Sequence, residues 1–497
     1  MANSWATLGV DLHLEPIGPG GLRRGLTDAL RDAVRSGRLA PATRLPSSRS
    51  LAADLGIARN TVAEAYADLV AEGWLTARQG SGTRVAPGVP GGTERPAEPG
   101  TPTGSGTPTG SGTPAGTGTP AGPAQPARAR PAPRRTPVLR PAHDLVPGSP
   151  DLAAFPRTEW LKAARRALTT APFHALGYGD PRGRPELRTA LAGYLARARG
   201  VRADPGTIVI TAGFSHALGI LGGVLRARGV RTAAVESYGL DVHWALLRKA
   251  GLATPALPFD GFGTDPGEPG EAGAVLLTPA HQFPMGTALH PDRRAAVVAW
   301  ARRTGGLVLE DDYDGEFRYD RQPVGALQGL APDRVVYLGT ASKSLAPGLR
   351  LGWMVLPPEL AEEAVAAKGR VDTVGVLDQL TLADFLASGA YDRHVRSSRL
   401  RYRRRRDALA AAVAERAPQV RVTGIAAGLH AVLRLPPGTE ESVVQAAAWQ
   451  GLALHGLAFH RHPRAVADPL DALVVGYGTP PDSAWTGALD ALCRALP

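Results

Sequence analysis

The segment RVVYLGTASK, residues 334–343, is an apolar run followed directly by small and hydroxyl residues and a lysine. Three other segments have the same form: TIVITAG at 207–213, AVLLTPA at 274–280 and GLVLEDDYD at 306–314. Helix-like patterns such as HPDRRAAVVAWARR, residues 290–303, lie between them. Strands that alternate with helices in this way form a mostly parallel sheet covered by helices. The sequence therefore predicts an α/β fold for residues 142–497, with a smaller α+β subdomain after about residue 390.

Polar groups stand at the C-terminal ends of these predicted strands, where sheets of this kind bind ligands. Lys343 is such a group, and its neighbours are three hydroxyl residues and an arginine: Thr340, Ser342, Ser344 and Arg350. A lysine amine can form a Schiff base with an aldehyde, and guanidinium and hydroxyl groups bind phosphate. The grouping predicts a site that holds a phosphate beside a reactive amine.

A compact helical module is predicted near the N-terminus, at residues 20–86. Its first helix pattern has one apolar face, formed by Leu22, Leu26, Leu30, Ala33 and Val34. A short helix capped by Ser47 follows, and a third helix ends at Gly73. LTARQGSGTRV, residues 75–85, reads as two short strands around a Gly-Ser-Gly turn. Three helices and a hairpin predict a winged helix-turn-helix.

Composition separates the two folded parts and indicates a polyanionic partner. Residues 87–141 are dominated by Gly, Thr, Pro and Ala, so we expect a disordered linker there. The chain carries a formal charge of +11, and residues 20–86 and 87–141 contribute +4 each. Cys493 is the single cysteine, which excludes disulfides within the chain. With no apolar run long enough for a membrane helix and no signal-peptide pattern, we expect a cytoplasmic protein.

The stretch from 20 to 86 resembles the DNA-binding domain of GntR-type regulators. By this resemblance Arg49 and Arg59 contact phosphates and base edges of double-stranded DNA. Asn60 and Thr61 begin the recognition helix, and three residues form the tip of the wing: Gln79, Gly80 and Ser81. The assignment agrees with general recognition physics, since a helix fits the major groove and arginine binds guanine through two hydrogen bonds.

Residues 142–497 resemble the fold-type I aminotransferases, which use pyridoxal phosphate. The resemblance implies that Lys343 forms the aldimine with the cofactor and that Asp311 pairs with its pyridine nitrogen. Glu310 and Asp312 are alternatives to Asp311, because the register within the acidic triplet is open. Tyr313 then contacts the phenolic oxygen of the ring or lies beside it. The phosphate site comprises Arg350, Thr340, Ser342 and the turn in TAGFSHAL, at Gly213, Phe214 and Ser215.

The sequence departs from the aminotransferase pattern at several positions. Tyr238, in VESYG, is the candidate for stacking on the cofactor ring, although the motif is shorter than usual. Gln282 stands where the family usually has an asparagine near the phenolic oxygen. The expected carboxylate-binding arginine is missing before DALVVGYG, residues 471–478, so Arg182 or Arg461 is the substitute candidate, and both also fit a surface role. His460 and His462 lack a third ligand, so no metal site is predicted.

The combination of both domains resembles the MocR family of bacterial regulators. It implies a head-to-tail homodimer in which each DNA-binding module docks on the partner's large domain. An amine, an amino acid or pyridoxal phosphate itself is then the effector, sensed at Lys343 without a catalytic cycle. The alternative function is an active aminotransferase that carries an accessory DNA-binding module, and measured turnover separates the two.

Overall fold

The structure, a computed structural model, describes residues 21–35, 39, 41–78, 82–86, 141–267, 269–319, 324–466 and 468–497. The predicted wing-tip residues Gln79, Gly80 and Ser81 lie outside these ranges, as does the predicted linker except Pro141. The N-terminal module consists of helices α1 Leu22–Arg35, α2 Ser48–Leu55 and α3 Arg59–Ala71 and of strands β1 Leu75–Arg78 and β2 Gly82–Val85. The two strands pair antiparallel.

The module has the predicted helical core. Leu26, Leu30, Val62 and Leu69 are at most 1% exposed. Ser47 caps α2, because its hydroxyl accepts a hydrogen bond of 3.1 Å from the backbone amide of Ser50. These features confirm the winged helix-turn-helix. Leu22, predicted on the buried face, is the exception: as the first residue of α1 it is 48% exposed.

The large domain begins with a predominantly α/β part. Its helices are α4 Arg157–Thr170, α5 Pro185–Arg199, α6 Phe214–Ala227, α7 Asp241–Lys249, α8 Pro291–Thr304, α9 Pro358–Lys368 and α10 Val376–Ala387. Its strands are β3 His143–Asp144, β4 Ile208–Thr211, β5 Ala233–Val235, β6 Phe259–Asp260, β7 Gly263–Thr264, β8 Ala274–Leu277, β9 Leu307–Asp311, β10 Val335–Thr340 and β11 Gly352–Val355.

Six of these strands form the central sheet, in the order β4-β11-β10-β9-β8-β5. The pairs β10–β9, β9–β8 and β8–β5 are parallel, whereas β11 is antiparallel to both of its neighbours. All residues of β4, β8, β9 and β10 are buried, as expected for a sheet covered on both faces. The parallel strands end at one edge, which brings the segments after β5, β8, β9 and β10 together.

The smaller C-terminal subdomain is confirmed. It consists of helices α11 Ala390–Arg416, α12 Glu440–Trp449 and α13 Asp482–Ala495 and of strands β12 Arg421–Thr423, β13 Ala431–Arg434, β14 Leu452–Ala453, β15 His455–Gly456 and β16 Ala472–Val475. Four strands form a sheet in the order β12-β13-β16-β15, in which neighbours are antiparallel. The described helices include none that is long and apolar enough to cross a membrane.

The N-terminal module packs against the large domain of the same chain. Trp74, at the end of the turn after α3, is 4% exposed and belongs to the same apolar cluster as Leu327 and Leu330 of a short 3-10 helix. A methyl group added to Gly73 would lie only 3.2 Å from Cδ1 of Leu330. The Nη2 atom of Arg24 also donates to the carbonyl of Arg197 at 3.1 Å. We call this contact the docking surface.

Candidate functional site

A cavity of about 270 Å³ opens at the C-terminal edge of the central sheet. The predicted residues that line it are Phe214, Ser215, Tyr238, Asp311, Tyr313, Thr340, Ser342, Lys343 and Arg350. They come from separate segments of the sequence, and the parallel strands bring them together. The fold therefore assembles most of the predicted cofactor site in one place.

Lys343 follows β10 and lines this cavity. Its Nζ atom donates to the carbonyl of Gly148 at 2.5 Å. Burial lowers the pKa of Lys343, while the negative charges of Asp311 and Asp314 act in the opposite direction. A lowered pKa increases the fraction of neutral amine, which is the nucleophilic form.

Asp311 is the member of the acidic triplet that lines the cavity. It is 6% exposed, and its Oδ1 atom has no hydrogen-bond partner among the described residues. Burial is the main reason that the pKa of Asp311 lies well above its usual value, and the charge of Lys343 opposes this effect. A buried carboxylate oxygen without a donor fits a cationic, hydrogen-bonding partner such as a protonated pyridine nitrogen.

Glu310 and Asp312 are engaged elsewhere, which favours Asp311 for that role. The two carboxylate oxygens of Glu310 accept the backbone amides of Leu327 and Gln328 at 2.6 and 2.8 Å. Asp312 binds the guanidinium of Arg199 through two hydrogen bonds of 2.6 and 2.9 Å. Successive side chains of a strand point to opposite faces, so Glu310 does not share the direction of Asp311.

The turn between β4 and α6 lies directly against the guanidinium of Arg350. Gly213 has φ +84°, and an added Cβ would lie 3.2 Å from Cζ of Arg350, so only glycine fits this approach. The guanidinium of Arg350 donates to the carbonyl of Ala212. Helix α6 begins at Phe214, so the amides of Phe214 and Ser215 belong to a helix N-terminus, a favourable place for an anion.

The hydroxyls of Thr340 and Ser342 complete this polar side of the cavity. Their oxygen atoms are 2.8 Å apart, and the Thr340 hydroxyl also donates to the carbonyl of Leu351 at 3.1 Å. The hydroxyl pair is thereby held in place before any ligand binds. The residues present thus fit the phosphate, the ring nitrogen and the aldehyde of pyridoxal phosphate.

Tyr238 and Gln282 have other contacts than those predicted. The ring of Tyr238 lines the cavity but packs edge-on against Phe259, with ring centroids 5.4 Å apart. The amide nitrogen of Gln282 donates to Glu236 at 2.6 Å, and its oxygen accepts from Thr287 at 2.7 Å. Gln282 therefore lies in the wall behind the cavity, and its contact with a phenolic oxygen remains a prediction.

The two candidate arginines for an effector carboxylate do not line the cavity. Arg182 forms ion pairs with Glu362 and, at 3.6 Å, with Asp180. Arg461 donates to the carbonyl of Ala465 at 2.8 Å and lies beside Tyr238 through a backbone bridge. Arg461 is thus adjacent to Tyr238, which lines the cavity, whereas Arg182 is paired with two carboxylates.

The predicted DNA-contacting side chains of the described residues form an accessible surface. Arg49, Arg59 and Asn60 are exposed, and Thr61 is half-buried. Arg59 is the first residue of α3, and its Nε atom lies 3.5 Å from the hydroxyl of Ser48. These residues remain accessible while the docking surface is formed.

The sequence interpretation missed a histidine cluster next to Tyr313. The His281 Nδ1 atom is 2.8 Å from Oδ2 of Asp314 and 3.1 Å from the hydroxyl of Tyr313. His430 lies close by, with its ring centroid 4.9 Å from that of His281. Polar atoms of His281, Asp314 and His430 lie within 4.8 Å of one another. Hydrogen bonds already engage them, since Nε2 of His430 pairs with the carbonyl of Pro284 at 2.9 Å.

Comparisons with known proteins identify both parts of the chain. Residues 22–85 match the family of bacterial regulatory proteins, gntR family, and residues 148–459 match aminotransferase class I and II.

The chain is 33% identical over 470 residues to the HTH-type pyridoxine biosynthesis transcriptional regulator PdxR of Corynebacterium glutamicum, covering 94% of each chain. It is 32% identical over 454 residues to the probable rhizopine catabolism regulatory protein MocR of Rhizobium meliloti, covering 89% of this chain and 88% of that one. The crystal structure of a multiple substrate aminotransferase from Thermococcus profundus superposes with a TM-score of 0.64 at 24% identity, covering 72% of this chain and 92% of that chain, which shows the fold.

Proposed function

Because the chain belongs to the MocR-type branch of the GntR family of bacterial regulators, we propose that it is a pyridoxal-phosphate-dependent transcription regulator. Its winged helix-turn-helix binds operator DNA, and the cavity in its large domain binds the cofactor. An amine, an amino acid or pyridoxal phosphate itself acts as the effector at Lys343. We place this activity in the bacterial cytoplasm.

The observation that carries the proposal is the presence, in one chain, of an accessible recognition helix and a cavity that fits pyridoxal phosphate. Bound there, the cofactor supplies an aldehyde for a lysine amine and an electron-withdrawing ring. Lys343 provides the amine, Asp311 the partner of the ring nitrogen, and Tyr313 a hydroxyl at the cavity wall. Arg350 and the turn at Gly213 bind the phosphate, together with Phe214, Ser215, Thr340 and Ser342.

Effector recognition and assembly complete the proposal. Arg461, next to Tyr238, is the better candidate for an effector carboxylate, because Arg182 is neutralised by two acids. We further propose a head-to-tail homodimer, in which each module exchanges the docking surface of its own large domain for the equivalent surface on the partner's large domain. A homodimer places two recognition helices on one operator, as two half-sites require.

A direct experiment compares DNA binding in the presence and absence of the cofactor. DNA fragments selected by the purified protein would be titrated with and without pyridoxal phosphate, and then with candidate amines. A regulator changes its affinity or its footprint when the ligand is added. An aminotransferase with an accessory module would instead convert an amino donor and a keto acid while its DNA binding stayed constant.

Arg59→Ala should weaken operator binding by about 1–3 kcal/mol if Arg59 contacts a base. The substitution removes an exposed guanidinium at the first turn of the recognition helix. Binding should be measured at several salt concentrations, since phosphate contacts make it salt-dependent. Arg157→Ala, which removes an exposed arginine of the large domain, is the matched control. Equal affinities of the two variants would show that this helix does not contact DNA as proposed.

A further inference from the structure

The hydroxyl of Tyr313 has one hydrogen, which can point either to Nδ1 of His281 or into the cavity. Tyr313 lines the cavity that contains Lys343 and Asp311, and its hydroxyl lies 3.1 Å from Nδ1 of His281. Burial, followed by the charges of Asp314 and Asp311, raises the pKa of Tyr313 well above its usual value. The phenol therefore keeps its hydrogen, and the question is where the hydrogen points.

His281 and Asp314 form a rigid, buried pair behind this phenol. Their side chains are 2% and 1% exposed, and Nδ1 of His281 is 2.8 Å from Oδ2 of Asp314. An added Cβ at Gly428, which has φ +72°, would lie 2.2 Å from Cε1 of His281 and 2.5 Å from Oδ2 of Asp314. The absence of a side chain at Gly428 thus allows the backbone to lie directly against the pair.

The imidazole nitrogen between the two oxygens holds at most one hydrogen. A hydrogen bond to a carboxylate is stronger than one to a neutral phenol, and the His281–Asp314 distance is the shorter of the two. Nδ1 of His281 therefore carries its hydrogen and donates it to Asp314. In that tautomer Nδ1 has no lone pair to accept from Tyr313.

We propose that His281 and Asp314 are positioning residues that direct the hydroxyl hydrogen of Tyr313 into the cofactor cavity. The inference rests on the proposed binding of pyridoxal phosphate, whose phenolic oxygen is the acceptor that the hydroxyl would meet. With its tautomer fixed by Asp314, His281 does not compete for the hydrogen. The pair thereby tunes the proton affinity of the bound cofactor without touching it.

The test is the visible absorption of the cofactor-loaded protein as a function of pH. A hydrogen bond donated to the phenolic oxygen withdraws charge from the chromophore and lowers its proton affinity. Tyr313→Phe removes the donor and should raise the pH midpoint of the absorption change by about one unit, the value of one hydrogen bond to a charged group.

Asp314→Asn should raise the midpoint in the same direction. An aspartate-to-asparagine change behind a histidine reverses its tautomer while the geometry stays intact. Nδ1 of His281 would then carry a lone pair that attracts the hydrogen of Tyr313 away from the cavity. The introduced amide also donates to this lone pair, so the shift should be smaller than that of Tyr313→Phe. His281→Asn should act likewise, because the unpaired carboxylate of Asp314 would take the same hydrogen. The other titratable groups near Tyr313 and His281, which are Lys343, Asp311, Glu236 and His430, are unchanged in all variants.

The double variant Tyr313→Phe/Asp314→Asn separates positioning from a purely structural or electrostatic role. If Asp314 acts through Tyr313, the second substitution adds no further shift to the first. Additive shifts would overturn the inference. A lowered midpoint in Asp314→Asn would also overturn it, since that result means that Asp314 acts through its own negative charge on Lys343 or as the acceptor of the Tyr313 hydroxyl. A complete lack of visible absorption in the unmodified protein would contradict cofactor binding instead.

Discussion

We expect Lys343→Ala to abolish the visible absorption that the protein acquires with pyridoxal phosphate. Lys343 is the amine at the C-terminal end of β10, and its pKa is lowered by burial, so it is the group that can react with the cofactor's aldehyde. After gel filtration the variant should be colourless, and borohydride should no longer fix the cofactor to the protein. Absorption spectroscopy and mass spectrometry measure the two effects.

Lys162→Ala is the matched control for this experiment. Lys162 lies on the exposed surface of α4, where it pairs with Glu159 at 3.0 Å. Its loss should leave the colour and the fixation by borohydride unchanged. An unaltered spectrum in the Lys343→Ala variant would show that another amine binds the cofactor.

Asp312→Ala should destabilise the large domain by about 3–5 kcal/mol, because it leaves a buried guanidinium without its counter-charge. The side chains of Arg199 and Asp312 are 4% and 2% exposed and are joined by two hydrogen bonds. Asp312 also accepts a hydrogen bond of 2.8 Å from the hydroxyl of Tyr337. In the variant, two N–H groups of Arg199 and this hydroxyl therefore lose their acceptor. Urea denaturation followed by circular dichroism measures the change.

Asp407→Ala provides the comparison for an exposed ion pair. Asp407 lies 3.8 Å from Arg403 on α11, and both side chains are more than 60% exposed. Solvent screening makes such pairs weak, so the denaturation midpoint should hardly move. Equal effects of the two substitutions would contradict the assigned role of the buried pair.

Local patterns in the sequence predicted the strands, the module and the cavity. Lys343 and Asp311 follow apolar strands that are parallel, and the carboxyl ends of such strands must meet at one edge. The strand periodicity also explains why Asp311 lines the cavity and Glu310 does not, although that choice required the register of β9. The cap at Ser47 was also predicted from a local pattern, because a serine directly before a helix is a common N-cap.

The histidine cluster and the contacts of Gln282 depend on distant segments. His281 and Asp314 are 33 residues apart, and the chain around Gly428, from the C-terminal subdomain, closes over them. No short pattern connects these three positions. Gln282 was placed by analogy with a motif position, but Glu236 and Thr287 provide the hydrogen-bond partners that direct its side chain.

The docking surface connects the DNA-binding module to the strand that lines the cavity, so effector binding and DNA binding can be coupled through it. This coupling can be measured by following the binding of either ligand. Glu310 precedes Asp311, which lines the cavity, and its carboxylate accepts hydrogen bonds from two amides of the 3-10 helix against which Trp74 packs. Strand β9 therefore contributes one residue to the cavity and another to the 3-10 helix against which the DNA-binding module packs. Equilibrium linkage is reciprocal: if the effector changes operator affinity by a given factor, operator DNA must change effector affinity by the same factor. A spectroscopic titration of the effector with and without DNA would thus measure the regulatory coupling free energy without any transcription assay.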